Sequence, residues 1–208
     1  MMSKIKLDGY KWNHKRVYRL YCEMELNKRV KPKKRLPARN AVALVQPIKS
    51  NVCWSIDFMC DVLSNGRRFR TLNIIDDYNR EAILIKPGMS LPATCVTKFI
   101  DQVASTRGYP NIIRVDNGPE FISNIFKKWA DQNNIFIQYI QPGKPAQNSF
   151  IERFNRTYRE DILDMYIFEN IREVSEITNK WVRFYNSERP HESLGNRTPS
   201  GYALAGGA

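Results

Sequence analysis

From residue 52 onward, apolar and polar positions alternate as they do along a β-strand. In "VCWSIDFMC", Trp54, Ile56 and Phe58 take turns with Ser55, Asp57 and Met59, the period-two pattern of a strand with two unlike faces. Asn65-Gly66 predicts a hairpin turn into a second strand, "RFRTLNIIDDYN", and "REAILIKPG" offers a third. Residues 92–107 read as a helix and 112–115 as a short strand. "PEFISNIFKKWADQ" begins with Pro119 at a first-turn position and sets Phe121, Ile125, Phe126 and Trp129 on one helical face. "IFIQYIQ" gives a fifth strand, followed by the loop "PGKPAQNS". Residues 149–188 read as helical throughout, with Ile151, Phe154, Tyr158 and Met165 as the apolar stripe. Three strands, then alternating helix and strand, then helices predict an α/β fold. Its mixed five-stranded sheet carries helices on both faces.

Upstream of residue 47 the pattern differs. "HKRVYRLYCEMEL" places Val17, Leu20, Tyr21 and Met24 at helical spacing, with Lys15, Arg16 and Arg19 on the other side. "NKRVKPKKRLPARN", including Lys33, Lys34 and Arg35, reads as a charged linker. Residues 1–46 are therefore expected to form a short basic helical arm and linker, and residues 47–205 a single core. Charge follows that division: residues 1–40 hold 13 Lys/Arg against 3 Asp/Glu, while the chain as a whole carries +12. A basic arm on a nearly neutral core points to an anionic polymer, most often nucleic acid. A solvated tail is the plain alternative, but Tyr10, Trp12, Tyr18 and Tyr21 interleaved with the cations argue against it.

The four cysteines form no CxxC pair and the two histidines lie far apart, which argues against a structural zinc site and favours a reduced, cytosolic chain. No apolar run is long enough to span a bilayer, and the N-terminus lacks a signal-peptide core.

The candidate chemistry lies in three acids. Asp57 sits mid-strand among apolar neighbours, where a lone carboxylate is costly. Asp116 ends the fourth strand, in "RVDNGPEF", and Glu152 opens a helix in "NSFIERFNRTYRED". If the first and fourth strands are neighbours, Asp57 and Asp116 face each other and the helix can bring Glu152 from the rim. Oxygen-only ligands without His or Cys favour magnesium or manganese, and a pair of such ions serves in-line phosphoryl displacement. Arg156 and Arg159, at offsets of four and seven from Glu152, share its side of the helix and could hold a phosphate backbone. Each acid alone has an ordinary structural reading, and the pairs Asp76-Asp77 and Glu160-Asp161 are expected to be structural.

"WSIDF", "RVDNGPEF" and "GKPAQNSFIERFNRTYRED" together resemble the three blocks of a retroviral-integrase-like transposase core, and in particular the insertion-sequence three family of bacterial transposases. Thirty-five residues, 117–151, separate Asp116 from Glu152, as in that family; Arg159 fills its basic position seven after the glutamate, and "FYNSERPHESLGNRTPSGY" resembles its C-terminal block. The resemblance implies a ribonuclease-H-like fold, with Asp57, Asp116 and Glu152 as catalytic acids holding two Mg2+ (or Mn2+) ions. It implies DNA strand cleavage and strand transfer in transposition, on transposon ends and target DNA, by a homo-oligomer. Lys144, Arg156, Arg159 and the arm residues Lys15, Arg16, Arg19, Lys33, Lys34 and Arg35 are the expected DNA contacts. Residues 14–26 look like the tail end of a helix-turn-helix region. The chain therefore reads as a subunit, a fragment or a truncated copy that works with an upstream-frame DNA-binding protein or fusion. A non-catalytic remnant with non-specific DNA binding, and a retroelement integrase, are the competing readings.

Overall fold

The computed structural model describes residues 2–26, 44–141 and 145–206. Two short helices, α1 (Met2–Leu7) and α2 (His14–Glu23), come first. The sheet follows: β1 (Cys53–Val62), β2 (Arg68–Asp76), β3 (Ala82–Gly88), β4 (Ile112–Val115) and β5 (Phe136–Tyr139). Helix α3 (Ala93–Arg107) joins β3 to β4, and α4 (Pro119–Ile122) with α5 (Asn124–Gln132) joins β4 to β5. Helices α6 (Ser149–Tyr158), α7 (Ile171–Ser187) and α8 (Pro199–Gly206) complete the chain. Strand order is β3-β2-β1-β4-β5, antiparallel across the first two pairings and parallel across the last two, which is the mixed five-stranded sheet expected. Among the described residues no helix is long and apolar enough to cross a membrane.

The alternation in β1 divides the core in two. Trp54 and Ile56 point to one face, where Leu72, Ile74, Ile113 and Val115 meet Val96 and Ile100 of α3 and Phe121 and Phe126 of α4 and α5. Met59 points to the other, where Phe69, Ile75 and Ile85 meet Ile151, Phe154 and Tyr158 of α6 and Val174, Trp181 and Tyr185 of α7. Both faces are covered, so β1 is apolar on each side except where a polar residue has a partner. Ser55 is such a case: its hydroxyl donates to Asp77 (2.7 Å), and Arg114 of β4 pairs with the same carboxylate. Asp76 accepts the backbone N–H groups of Asn51 and Tyr78, both at 2.9 Å. Asp76 and Asp77 are fully buried and structural, as the sequence reading expected.

Three expectations are corrected. Residues 149–188 are not one helix: α6 ends at Tyr158, a π-helical turn covers Arg159–Leu163, and α7 starts only at Ile171. The wider turn shifts the register, so Met165 leaves the apolar stripe and is 69% exposed. The segment after Pro119 is also interrupted, at Ser123, whose hydroxyl accepts the Phe126 N–H and starts α5 afresh. Ile125 is thereby turned outward, away from Phe121, Phe126 and Trp129. In the arm, only Val17 of the apolar side of α2 is buried, and α1 was not foreseen.

Candidate active site

Cys53, Trp54 and Ser55 of β1 pair with Ile112, Ile113 and Arg114 of β4. Continuing that register by two residues brings Asp57 level with Asp116. The same alternation that sends Trp54 and Ile56 into the α3 core sends Asp57 to the α6 face. There its Oδ2 accepts a hydrogen bond from the Asn155 side chain (2.7 Å), and its Oδ1 accepts the backbone N–H of Phe58 (2.8 Å). The Asn155 carbonyl in turn accepts from Asn73 of β2 (2.7 Å), so an amide chain from the neighbouring strand fixes the rotamer of Asp57.

Asp116 is fixed by its own turn. Its Oδ1 accepts the N–H of Gly118 (2.9 Å), and Asn117 donates to the Ile140 carbonyl at the end of β5 (3.0 Å). A Cβ on Gly118 would lie 2.9 Å from that carboxylate oxygen, so a side chain here would push Asp116 out of its present position. Glu152 lies in the first turn of α6 with an exposed side chain. Burial pushes the Asp57 carboxyl up to about 6; the Phe58 and Asn155 hydrogen bonds oppose this, while the charges of Asp116 and Glu152 reinforce it. The three acids therefore share one electrostatic environment. Among the described residues no three His, Cys, Asp or Glu side chains are drawn together closely enough to hold an ion. The donor set itself, three carboxylates without nitrogen or sulfur, suits a hard divalent cation, and the exposed Glu152 side chain is free to turn inward.

The basic residues fare differently. Arg156, one turn after Glu152, is exposed and makes no hydrogen bond or ion pair among the described residues. Arg159 lies in the π turn and is engaged, donating to Asp61 (3.1 Å) and the Cys60 carbonyl (2.8 Å). Its backbone N–H still bonds to the Asn155 carbonyl, so the helical offset of seven from Glu152 is kept and the π turn alters the register only beyond it. Lys15, Arg16 and Arg19 project from α2 into solvent, Arg19 beside Glu23 (3.5 Å). Lys33, Lys34, Arg35 and Lys144 lie outside the described residues. Asn155 was missed, although one signal was present: an amide adjoining the otherwise apolar stripe of Ile151, Phe154 and Tyr158.

Two family models, each described as an integrase core domain, match residues 47–145 and 133–199. An uncharacterised 39.2 kDa protein of insertion element IS476 from Xanthomonas euvesicatoria is 39% identical over 191 residues, covering 92% of this chain and 55% of that protein. An uncharacterised 31.7 kDa protein of insertion element IS407 from Burkholderia multivorans is 38% identical over 199 residues, covering 96% of this chain and 72% of that protein. The chain thus spans about half to three quarters of the relatives' length. Among solved structures, the catalytic core domain of HTLV-2 integrase in complex with magnesium superposes with a TM-score of 0.54 at 16% identity, covering 74% of this chain and 97% of that one. That likeness establishes the ribonuclease-H-like fold.

Proposed function

The chain belongs to the insertion-element transposases that carry an integrase core domain, and on that premise we propose that it performs the chemical steps of DNA transposition. Water attacks a phosphodiester at the element's end, the P–O3′ bond breaks, and a free 3′ hydroxyl remains. That hydroxyl then attacks a phosphodiester of target DNA, forming a new P–O3′ bond as the target's own 3′ oxygen leaves. The observation that carries the proposal is the parallel pairing of β1 with β4, whose register, extended by two residues, sets Asp57 level with Asp116 just past the end of β4, with Glu152 close enough to raise the Asp57 pKa.

Asp57, Asp116 and Glu152 would hold two magnesium or manganese ions, which activate the attacking oxygen and stabilise the leaving one. Asn155 orients Asp57 and favours its charged form, the Gly118 N–H orients Asp116, and Arg156 meets a backbone phosphate one helical turn beyond Glu152. Element ends and target DNA are the expected substrates, with several copies of the chain assembled on them. An upstream DNA-binding protein or fusion would supply end recognition. Supercoiled-DNA nicking in magnesium tests the proposal: the parent should nick and Asp116→Asn should not. A non-catalytic remnant would bind DNA and leave it intact.

Asn155→Leu separates positioning from catalysis. It strands the Asn73 amide and removes a donor from Asp57, costing roughly 1–3 kcal/mol, to be read as a lower urea midpoint. The Asp57 carboxyl should then titrate higher, because a bond to its charged form is gone. The acid limb of the nicking pH profile should therefore move upward. A limb that stays in place would reduce Asn155 to a packing role.

The arm should bind phosphates without reading bases, since α1 and α2 are both short and the exposed cations Lys15, Arg16 and Arg19 reach phosphates without base-specific docking. Each neutralised phosphate contributes about −0.9 to the log–log salt slope, so deleting residues 1–40 should reduce the slope by about 4 to 5 if roughly five contacts are lost. Fluorescence anisotropy across a salt series measures this; an unchanged slope would move the DNA contacts to the core.

A further inference from the structure

Beside the packed stripe of α6, on the flank that carries Ser149, Arg153 and Thr157, lies a cavity of about 240 Å³, walled by α6, the C-terminal end of α7, the turn after β2 and residues 191–193. Three arginines from three separate segments line it: Arg80, Arg153 and Arg189, together with His191. We propose that this cavity is a phosphate-binding site, separate from the carboxylates, that takes a backbone phosphate of bound DNA. The DNA half of that statement rests on the function proposed above; the phosphate half rests on the cavity itself.

Two of the arginines are held in place. Arg80 donates to the Asp77 carbonyl and stacks over the Phe150 ring, 3.4 Å from its centroid. Arg189 pairs with Asp161, which also accepts the Trp181 indole N–H (3.1 Å). Arg153 is different: it is exposed, and its guanidinium has no hydrogen bond or ion pair among the described residues. A guanidinium without a carboxylate at the mouth of a cavity already walled by two others is arranged for an anion, and the planar fork of arginine matches phosphate oxygens.

His191 supplies an independent sign. Its Nε2 is buried without a hydrogen-bond partner, while its ring packs edge-on against Tyr185 (centroids 4.9 Å, 77°). A buried polar atom without a partner calls for an explanation, and a neutral imidazole can donate from that nitrogen to a phosphate oxygen. Burial, followed by the charges of Arg189, Arg80 and Arg153, brings the imidazole down to about 4. The positive field inside the cavity is thus felt by the group that lacks a partner. No Asp or Glu is among the residues lining the cavity, and Asp161 is already engaged by Arg189. Ser149, on the first turn of α6, adds a hydroxyl to the lining. Arg153 directly follows Glu152, and successive helix positions are about 100° apart, so a strand crossing this part of α6 passes both sites.

The chain has two histidines, and exposed His14 at the start of α2 serves as an internal control for imidazole NMR. In metal-free buffer, millimolar inorganic phosphate should shift the His191 resonances saturably and raise its titration midpoint, whereas His14, beside the exposed cations Lys15 and Arg16, reports non-specific association and should show no saturable shift. Arg153→Gln, which changes a side chain without folded-state partners among the described residues, should weaken that response at least about tenfold, as expected for one charge-assisted hydrogen bond. A short DNA duplex should shift His191 in the same direction. A shift with phosphate but none with duplex would overturn the backbone assignment and leave a site for free phosphate. No shift with either, or an equal phosphate response in Arg153→Gln, would overturn the site. Asp116→Asn keeps the two proposals apart, because it should lose nicking and retain the His191 response.

Discussion

Asp57→Asn should melt at higher temperature than the parent at pH 7.5 while losing at least a hundredfold in strand cleavage. The stability half follows from linkage. The folded-state pKa of Asp57 is raised from 3.8 to about 6, so between those values the folded chain binds more protons than the unfolded one. Stability then falls as pH rises from about 4 to about 6, and the whole cost, about 3 kcal/mol, is present above pH 6. Asparagine never carries that charge. It keeps an oxygen for Asn155 but loses the acceptor for the Phe58 N–H, which returns about 1 kcal/mol. A net gain of about 2 kcal/mol corresponds to a rise of roughly 4–8 °C for a chain of this size. Below pH 4 the advantage should disappear. The activity half follows because losing an ion ligand removes several kcal/mol of charge stabilisation, and ~1.4 kcal/mol is tenfold in rate. Calorimetry in EDTA at pH 4 and pH 7.5 checks the sign. A lower melting point at pH 7.5 would mean that Asp57 is a satisfied structural acid.

Metal should reverse that penalty in the parent. A cation between Asp57 and Asp116 favours both charged forms, so millimolar magnesium or manganese should raise the melting temperature of the parent and chelation should lower it. At a hundred times Kd the stabilisation is about 2.7 kcal/mol by mass action. Binding must displace the proton that Asp57 holds below about 6, so affinity should climb between pH 5 and pH 7 and level off above. In Asp57→Asn both the shift and its pH dependence should shrink sharply. Parallel melting curves of the two proteins with and without magnesium decide the point, and a parent indifferent to both ions would count heavily against a two-ion site.

How much of this could be read along the chain varies from element to element. β1 and β4 were legible because their patterns are local: Trp54, Ile56 and Phe58 alternate, and the Ile112–Val115 run stops at Asp116. The register that sets Asp57 level with Asp116 followed from placing those strands side by side. The breaks in the later helices were not legible. A π turn at Arg159–Leu163 keeps helical composition and changes only the hydrogen-bond span, so Met165 still looked like part of a stripe. Ser123 carried a usable signal, a hydroxyl ahead of "NIFKKW", but the apolar spacing on both sides masked it. Asn155 and the cavity beside Arg153 depend on contacts between segments far apart in sequence, Asn73 with Asn155 and Arg80 with His191. Periodicity along one segment does not encode such contacts.

Glu152→Gln is the most direct test of the three acids as the cleavage site, because Glu152 is exposed and makes no hydrogen bond or ion pair among the described residues, so the substitution leaves the fold undisturbed. Nicking of supercoiled DNA in magnesium should fall at least a hundredfold in this variant, with its metal-free melting temperature no lower than the parent's, because one of the charges that raise the Asp57 carboxyl is gone. Nicking equal to the parent would contradict the assignment and leave the carboxylates a structural role.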